Sequence, residues 1–273
     1  MKRFFLIVFT LLTFILIPFL TSFLLGQVSE DNKILVNDAG KKIRIDREKF
    51  LISAVLSVSD EDFHDETLKA LTTVFSTLIQ YGDVDADSKR GVLLIDTNGI
   101  DEDFKNRVIS TVSAAGDNVM LCKGEPIYSV FHKSSGGNTL ESENVFEKDY
   151  SYLSSVSSDK TRGEQIFSKA YLEESLSLFS PFSITSMNDD GSANTVMAGD
   201  SALSGAEFRK KLGIIGSVFT LEETDENLYV YYSGEGHGVG LSIMGAESMA
   251  ESGKTAEEIL SHYYQGIEIA KII

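Results

Sequence analysis

Between Glu66 and Tyr81 the apolar residues Leu68, Leu71, Phe75, Leu78 and Ile79 fall three, four, three and one apart, which places them on one face of a helix. Gly82 supplies its stop. A second helix is expected over residues 101–115, with Phe104, Val108, Ile109 and Val112 inward and Gly116 ending it. Residues 119–122 and 126–132 are rich in Val, Ile, Tyr and Phe on either side of Lys123-Gly124-Glu125, the pattern of a hairpin. Short helices are expected over 168–178 and 205–212. Strands are expected over 217–222 and 227–233, the second alternating Leu228, Val230 and Tyr232 with Tyr229 and Tyr231. Thr255 followed three residues on by Glu258 is a capping box, opening a last helix that runs to about Tyr264. Helices and strands mix without regular alternation, so the fold class is α+β, with helices and antiparallel strands in one compact domain bearing a cleft.

The N-terminus is a different kind of segment. Phe4 to Gly26 is a run of 23 residues with no charge, long enough as a helix to span the hydrocarbon layer of a bilayer, and Lys2 and Arg3 before it mark the cytoplasmic side. A cleaved signal peptide is the alternative, although the exit Ser22-Phe23-Leu24-Leu25-Gly26 has no clean small-x-small cleavage pattern. Either way the remainder works outside the cytoplasm. The organisation expected is an anchor at 1–26, a polar stalk at 27–44 and an extracytoplasmic domain at 45–270, on a single-pass protein of the cell membrane.

Charge narrows the partners. The chain carries a formal −17, and −17 − 2 = −19 once Lys2 and Arg3 are set aside, so nucleic acid and anionic lipid head groups are repelled. Cys122 is the single cysteine, which excludes an intramolecular disulfide and a cysteine-based zinc cluster. The four histidines (His64, His132, His237, His262) show no ligand spacing, so no metal is expected, and no cofactor motif is present.

The candidate chemistry lies in Gly234-Glu235-Gly236-His237-Gly238-Val239-Gly240-Leu241-Ser242, continued by Gly245-Ala246, Met249-Ala250 and His262-Tyr263-Tyr264-Gln265-Gly266. Five glycines in the twelve residues 234–245 permit positive φ and close backbone approach around one imidazole. A second block reads His132, Ser134, Ser135, Gly136, Gly137 and Thr139 after Gly124, Pro126 and Ile127, and Tyr152, Leu153 and Val156 follow it. A third is Ser204-Gly205, Glu207-Phe208-Arg209, Leu212-Gly213 and Phe219. In this order, over roughly residues 45–270, these blocks resemble the SpoIID/LytB family of sporulation and amidase-enhancer proteins. Ile243 departs from the resemblance, standing where the family signature has glutamine.

The resemblance implies action on peptidoglycan glycan strands during engulfment or wall remodelling. The family's lytic transglycosylase chemistry uses one glutamic acid, which protonates the glycosidic oxygen and then takes the proton of the sugar 6-hydroxyl to close an anhydro ring. Phe63, Glu66, Leu68, Lys69 and Ala70 align with the family run, and the acid's position then falls on Val58, which has no proton to give. Ser59 and Asp60 replace its Met-Pro, and Ser76 stands where an arginine belongs. Glu61 and Asp60 are the substitute acids to consider, against the plainer reading that Asp60-Glu61-Asp62 is a solvated entry to the next helix. The resemblance assigns glycan binding to His132, Ser134, Ser135, Gly136, Gly137, Thr139, Gly236, His237, Gly238, Gly240 and Ser242. His132 with Ser134 and Ser135 could also be read as a nucleophile and base. Tyr150, Tyr152, Tyr231 and Tyr232 could stack on sugar faces or simply pack. Three functions remain open: an impaired family member that binds glycan strands, an active transglycosylase with a substitute acid, and an assembly protein that recruits a wall hydrolase such as an amidase.

Overall fold

The computed structural model describes residues 33–38, 41–82, 95, 97 and 99–272; the expected anchor at 1–26 lies outside them. Among the described residues no helix is long and apolar enough to cross a membrane. Strands β1 (Lys33–Asp38) and β2 (Lys41–Asp46) pair antiparallel, and Val36 is buried in the main core. Much of the stretch expected as a stalk is therefore a hairpin. Helix α1 (Arg47–Val58), which the sequence reading did not anticipate, opens with the Asp46 side chain accepting from the Lys49 N–H.

Helix α2 (Asp65–Tyr81) and helix α3 (Glu102–Ala115) fall where the periodicity puts them. The surroundings of α2 differ from expectation, because it is buried on nearly every side from Thr67 to Thr77. Several of its buried polar residues are satisfied internally: Thr72 and Thr77 hydroxyls donate to the carbonyls four residues back at 2.8 and 2.7 Å, and Ser76 donates to the Gly116 carbonyl at 2.8 Å, whereas the Thr67 hydroxyl has no partner among the described residues. The helix is thus the spine of the first core.

After α3 the chain forms β3 (Asn118–Cys122), β4 (Glu125–Pro126), β5 (Phe131–His132) and β6 (Gly136–Asn138), then α4 (Ser142–Phe146), β7 (Ser157–Lys160) and β8 (Arg162–Ser168). Helix α5 (Lys169–Leu176) leads to β9 (Phe182–Met187), β10 (Ala193–Ala198) and β11 (Ser201–Ser204), followed by α6 (Gly205–Leu212), β12 (Val218–Glu223) and β13 (Asn227–Ser233). Strand β14 (Leu241–Ser242), α7 (Ile243–Glu251), α8 (Ala256–Tyr263) and β15 (Glu268–Lys271) complete the described order. The hairpin expected over 119–132 is short, pairing only Leu121 with Pro126 and Cys122 with Glu125. Beyond Pro126, β5 instead lies parallel to β14, with Phe131 beside Leu241 and His132 beside Ser242.

Two cores result. The first gathers α1, α2, α3, α7 and α8 around residues such as Phe50, Leu68, Phe75, Met120, Leu241 and Leu260. The second lies among α5, α6 and the sheets β11-β10-β9 and β12-β13-β8, and includes Leu172, Val196, Phe208, Phe219, Leu228 and Val230. At about 1.5–3 kcal/mol for each large apolar side chain buried, each cluster is a stabilising unit. The third sequence block now has a physical reading. Ser204 and Glu207 cap α6, Phe208 fills the second core, and a side chain on Gly205 would meet the Ala193 carbonyl oxygen at 1.9 Å.

Candidate functional site

The two signature blocks meet where β5 and β14 run side by side. The loop after β13 crosses over β5: Glu235 and Ser134 exchange backbone hydrogen bonds at 2.8 and 3.2 Å, and Leu140 N–H donates to the Gly238 carbonyl at 2.7 Å. Gly240 is required at its place, since its φ is +72° and a Cβ there would lie 2.1 Å from the Val130 carbonyl oxygen. Arg209 braces the loop from the second core, donating to the carbonyls of Gly216, Ile215 and Gly236.

His132 is 3 % exposed and its Nδ1 lies 3.1 Å from the Val239 carbonyl oxygen, with Nε2 2.8 Å from Ser135 Oγ. A carbonyl only accepts, so Nδ1 carries the proton and bare Nε2 accepts from the Ser135 hydroxyl. Burial pushes the His132 pKa down to about 4, against the backbone bond at Val239. His237 is half-buried, its ring centroid 5.8 Å from that of His132, and its Nδ1 accepts from the Val239 N–H at 3.1 Å. Desolvation, with His132 and Arg209 adding to it, brings its pKa down to about 3. Both rings are neutral at neutral pH.

One carboxylate joins this network. Asp159 accepts from Ser135 N–H with both oxygens at 3.1 Å, from Ser242 Oγ at 2.6 Å and from Ser158 Oγ at 3.0 Å. These donors make it an internal tie between β6, β7 and the start of α7. Ser134 Oγ bonds Thr161 Oγ1 at 2.7 Å, and Thr139 Oγ1 accepts from Val156 N–H at 2.9 Å. Ser134, Ser135, Thr139 and Ser242 are all buried, so their side chains, like that of His132, turn inward. A nucleophilic Ser135 would be enclosed on every side. Gly136, Gly137, Gly236 and His237 keep partial exposure, whereas Gly238 and Gly240 are buried.

Charged residues form the outer rim. Lys133 pairs with Glu235 at 2.8 Å, and its ammonium pKa is raised by that bond and charge and, more weakly, by Asp60. Asp60, on the turn after α1, is close enough for its charge to be felt at Lys133. Val58 is the last residue of α1, half-buried against the first core. Asp60, Glu61 and Asp62 are exposed on the α1–α2 turn, where Arg107 donates to the Glu61 carbonyl at 2.9 Å. Ser76, at the expected arginine position, is buried and accepts from the Arg47 guanidinium at 2.7 Å, away from this rim. Glu247 was not anticipated: it is 8 % exposed on α7, and both its oxygens accept from the His64 N–H at 3.0 Å.

A row of rings leads to His237. Phe146 meets it edge-on at 5.3 Å, Tyr128 lies 6.1 Å from Phe146, and Tyr81 and Tyr150 lie 5.2 and 5.6 Å from Tyr128. Lys148 Nζ stands 4.5 Å over the Tyr150 ring. Tyr150 and Tyr152 were singled out from sequence, whereas Tyr81, Tyr128 and Phe146 had no signal beyond being aromatic. Tyr232 covers Gly163, leaving Tyr231 outward. Tyr263 and Tyr264 are buried, their hydroxyls reaching Ser158 at 2.9 Å and the Val130 carbonyl at 2.8 Å. Among the described residues no group of His, Cys, Asp and Glu is placed to hold a metal ion.

Fold and site together define an α+β protein whose glycine-rich loop locks over a buried His-Ser strand. No protein-family model matches the chain. It is 26% identical over 254 residues to stage II sporulation protein D of Bacillus subtilis, covering 82% of this chain and 74% of that protein, with the same figures for the Bacillus amyloliquefaciens protein. An uncharacterised protein of Brachyspira hyodysenteriae is 28% identical over 166 residues, 55% of this chain and 45% of that one. Over most of its length the chain is similar to stage II sporulation protein D, at the distance of a divergent relative.

Proposed function

We propose that this protein binds peptidoglycan glycan strands at the cell surface, in sporulation or wall remodelling, and that it is impaired as a lytic transglycosylase. The observation that carries this reading is Val58, a hydrocarbon at the end of α1 where the resemblance requires the acid. Asp159, linked to His132 through Ser135, accepts from Ser135, Ser242 and Ser158, an arrangement that fastens loops to one another. Binding is supported by the aromatic row from Tyr81 to His237, because the C–H faces of pyranose rings stack on aromatic faces, and by the Lys133–Glu235 rim beside it. The uncharged run 4–26 would tether the domain to the membrane.

The test is incubation of the full chain with insoluble sacculi, scoring retention and released muropeptides. Retention without anhydro-muropeptides is expected; accumulation of those products would defeat the impaired reading, and absence of retention would leave the assembly role. Asp60, whose charge is felt at Lys133, favours a second reading, an active enzyme with a substitute acid on the α1–α2 turn. Asp60→Asn and Glu61→Gln separate the two, since undiminished product from both removes those residues as acids.

A further inference from the structure

The outward face of the sheet β12-β13-β8 takes no part in the loop site. Side chains alternate along a strand, so Leu228 and Val230 enter the second core while Tyr229 and Tyr231 project the other way. Tyr229 lies between Ile166 of β8 and Glu222 of β12, and Tyr231 lies opposite Glu164. Tyr231 is 41% exposed and Ile166 is 53% exposed.

The two tyrosine rings are within 18° of parallel, with centroids 6.5 Å apart. A cation midway between them would lie 6.5/2, about 3.3 Å, from each centroid, well inside the ~6 Å range of a cation–π contact. Glu222 lies opposite Tyr229 and Glu164 lies opposite Tyr231, and the charge of both carboxylates is felt at the Tyr231 ring. Among the described residues neither carboxylate is paired with a lysine or arginine. Near-parallel aromatic faces flanked by two unpaired carboxylates complement a flat cation, and the chain's net −17 attracts one from a distance.

We propose that this face docks a basic segment of a partner protein, with an arginine guanidinium seated on Tyr229 and Tyr231 and paired with Glu164 and Glu222. The size of the face suits a segment more than a broad interface. Three strands of about six residues give roughly 20 by 14 Å, well below the ~800 Å² per partner of a standard protein–protein contact. The surface is separate from the loops assigned to glycan strands, so the two readings stand or fall independently.

The experiment titrates the full chain at low salt with the peptide Gly-Arg-Gly-Arg-Gly and, in parallel, with chitotetraose. Tyr229→Ala with Tyr231→Ala leaves the net charge unchanged, so it separates this site from general attraction to an acidic protein. The expected result is a loss of peptide affinity on the order of tenfold, from two exposed cation–π contacts. Glu164→Gln with Glu222→Gln should also weaken the peptide and flatten its salt dependence. Peptide binding unchanged in both pairs overturns the proposal, as does chitotetraose binding that disappears with the tyrosines while peptide binding persists. Should the tyrosine pair variant fail to fold, Tyr229→Leu with Tyr231→Leu, which keeps bulk and net charge, decides in its place.

Discussion

The two neutral imidazoles at the loop junction give this fold a calculable weakness to acid. His132 and His237 have pKa values brought down to about 4 and about 3, whereas in the unfolded chain both return to the ordinary 6.5. Below pH 6.5 the unfolded state binds protons that the native state refuses, so stability falls as pH falls and the loss continues until the folded values are reached. At pH 5, 1.5 units below the ordinary value, each group removes about 2 kcal/mol at 1.36 kcal/mol per unit, on the order of 3–4 kcal/mol for the pair after allowing for the partial exposure of His237. This figure depends little on the folded values so long as both stay well below 5. The assay is urea unfolding followed by far-UV circular dichroism at pH 7, 6 and 5, for the wild type and for His132→Gln and His237→Gln. Each variant should reduce the pH dependence by about one proton, with His64 and His262 cancelling in the comparison. The same pH dependence in the variants as in the wild type would refute the reasoning, because the two rings would then not be the groups that resist protonation.

Other measurements probe the same junction. Gly240→Ala places a Cβ 2.1 Å from the Val130 carbonyl at a positive φ, and should destabilise by roughly 3 kcal/mol or more in thermal or urea unfolding. Ser135→Ala leaves His132 Nε2 without its donor and should cost about 1–3 kcal/mol by the same assay, with the fold retained by circular dichroism. Arg209→Lys replaces a planar fork that reaches three carbonyls, and should loosen the 234–240 loop, seen as faster amide exchange there with the α2 amides unchanged. Under the proposed function, Val58→Glu supplies a proton donor, a group whose contribution is typically ~10²–10⁴ in rate, so anhydro-muropeptides should rise above the wild-type level by mass spectrometry.

What could be read in advance was what has a period or a cap. The 3–4 spacing from Leu68 to Ile79 marked α2, and the Thr255–Glu258 box marked the start of α8. Strand β13 was legible because one of its faces meets the second core. Strand β8 was not: in Arg-Gly-Glu-Gln-Ile-Phe-Ser the residues on the outward face include Ile166, and no apolar alternation stands out. Helix α1 escaped notice although Asp46 caps it, because its buried Ser53 and adjacent apolar residues blur a single stripe. At the site, the blocks were visible as motifs, but loops have no period, so the inward direction of Ser134, Ser135 and Thr139 could not be inferred. Asp159 carried no signal at all; only the fold sets it against Ser135 and Ser242.

That inward direction changes what an intact signature means. If His132, Ser135 and Ser242 faced a substrate, their presence would speak for chemistry at this junction. Instead His132 holds the Val239 carbonyl, Ser135 holds His132, and Asp159 gathers Ser135 and Ser242, so each side chain fastens one loop to another. Removing any of them leaves a buried donor or acceptor unpaired, a loss of about 1–3 kcal/mol set against the 5–15 kcal/mol of a typical domain. The glycines act in the same way, because Gly240 permits the crossing over β5 that brings Val239 to the imidazole. The motif is therefore needed for the fold whatever the chemistry, and it cannot by itself argue for turnover. The functional question moves to residues outside this set of ties: Asp60 on the α1–α2 turn, the Lys133–Glu235 pair, and the ring row that ends on His237.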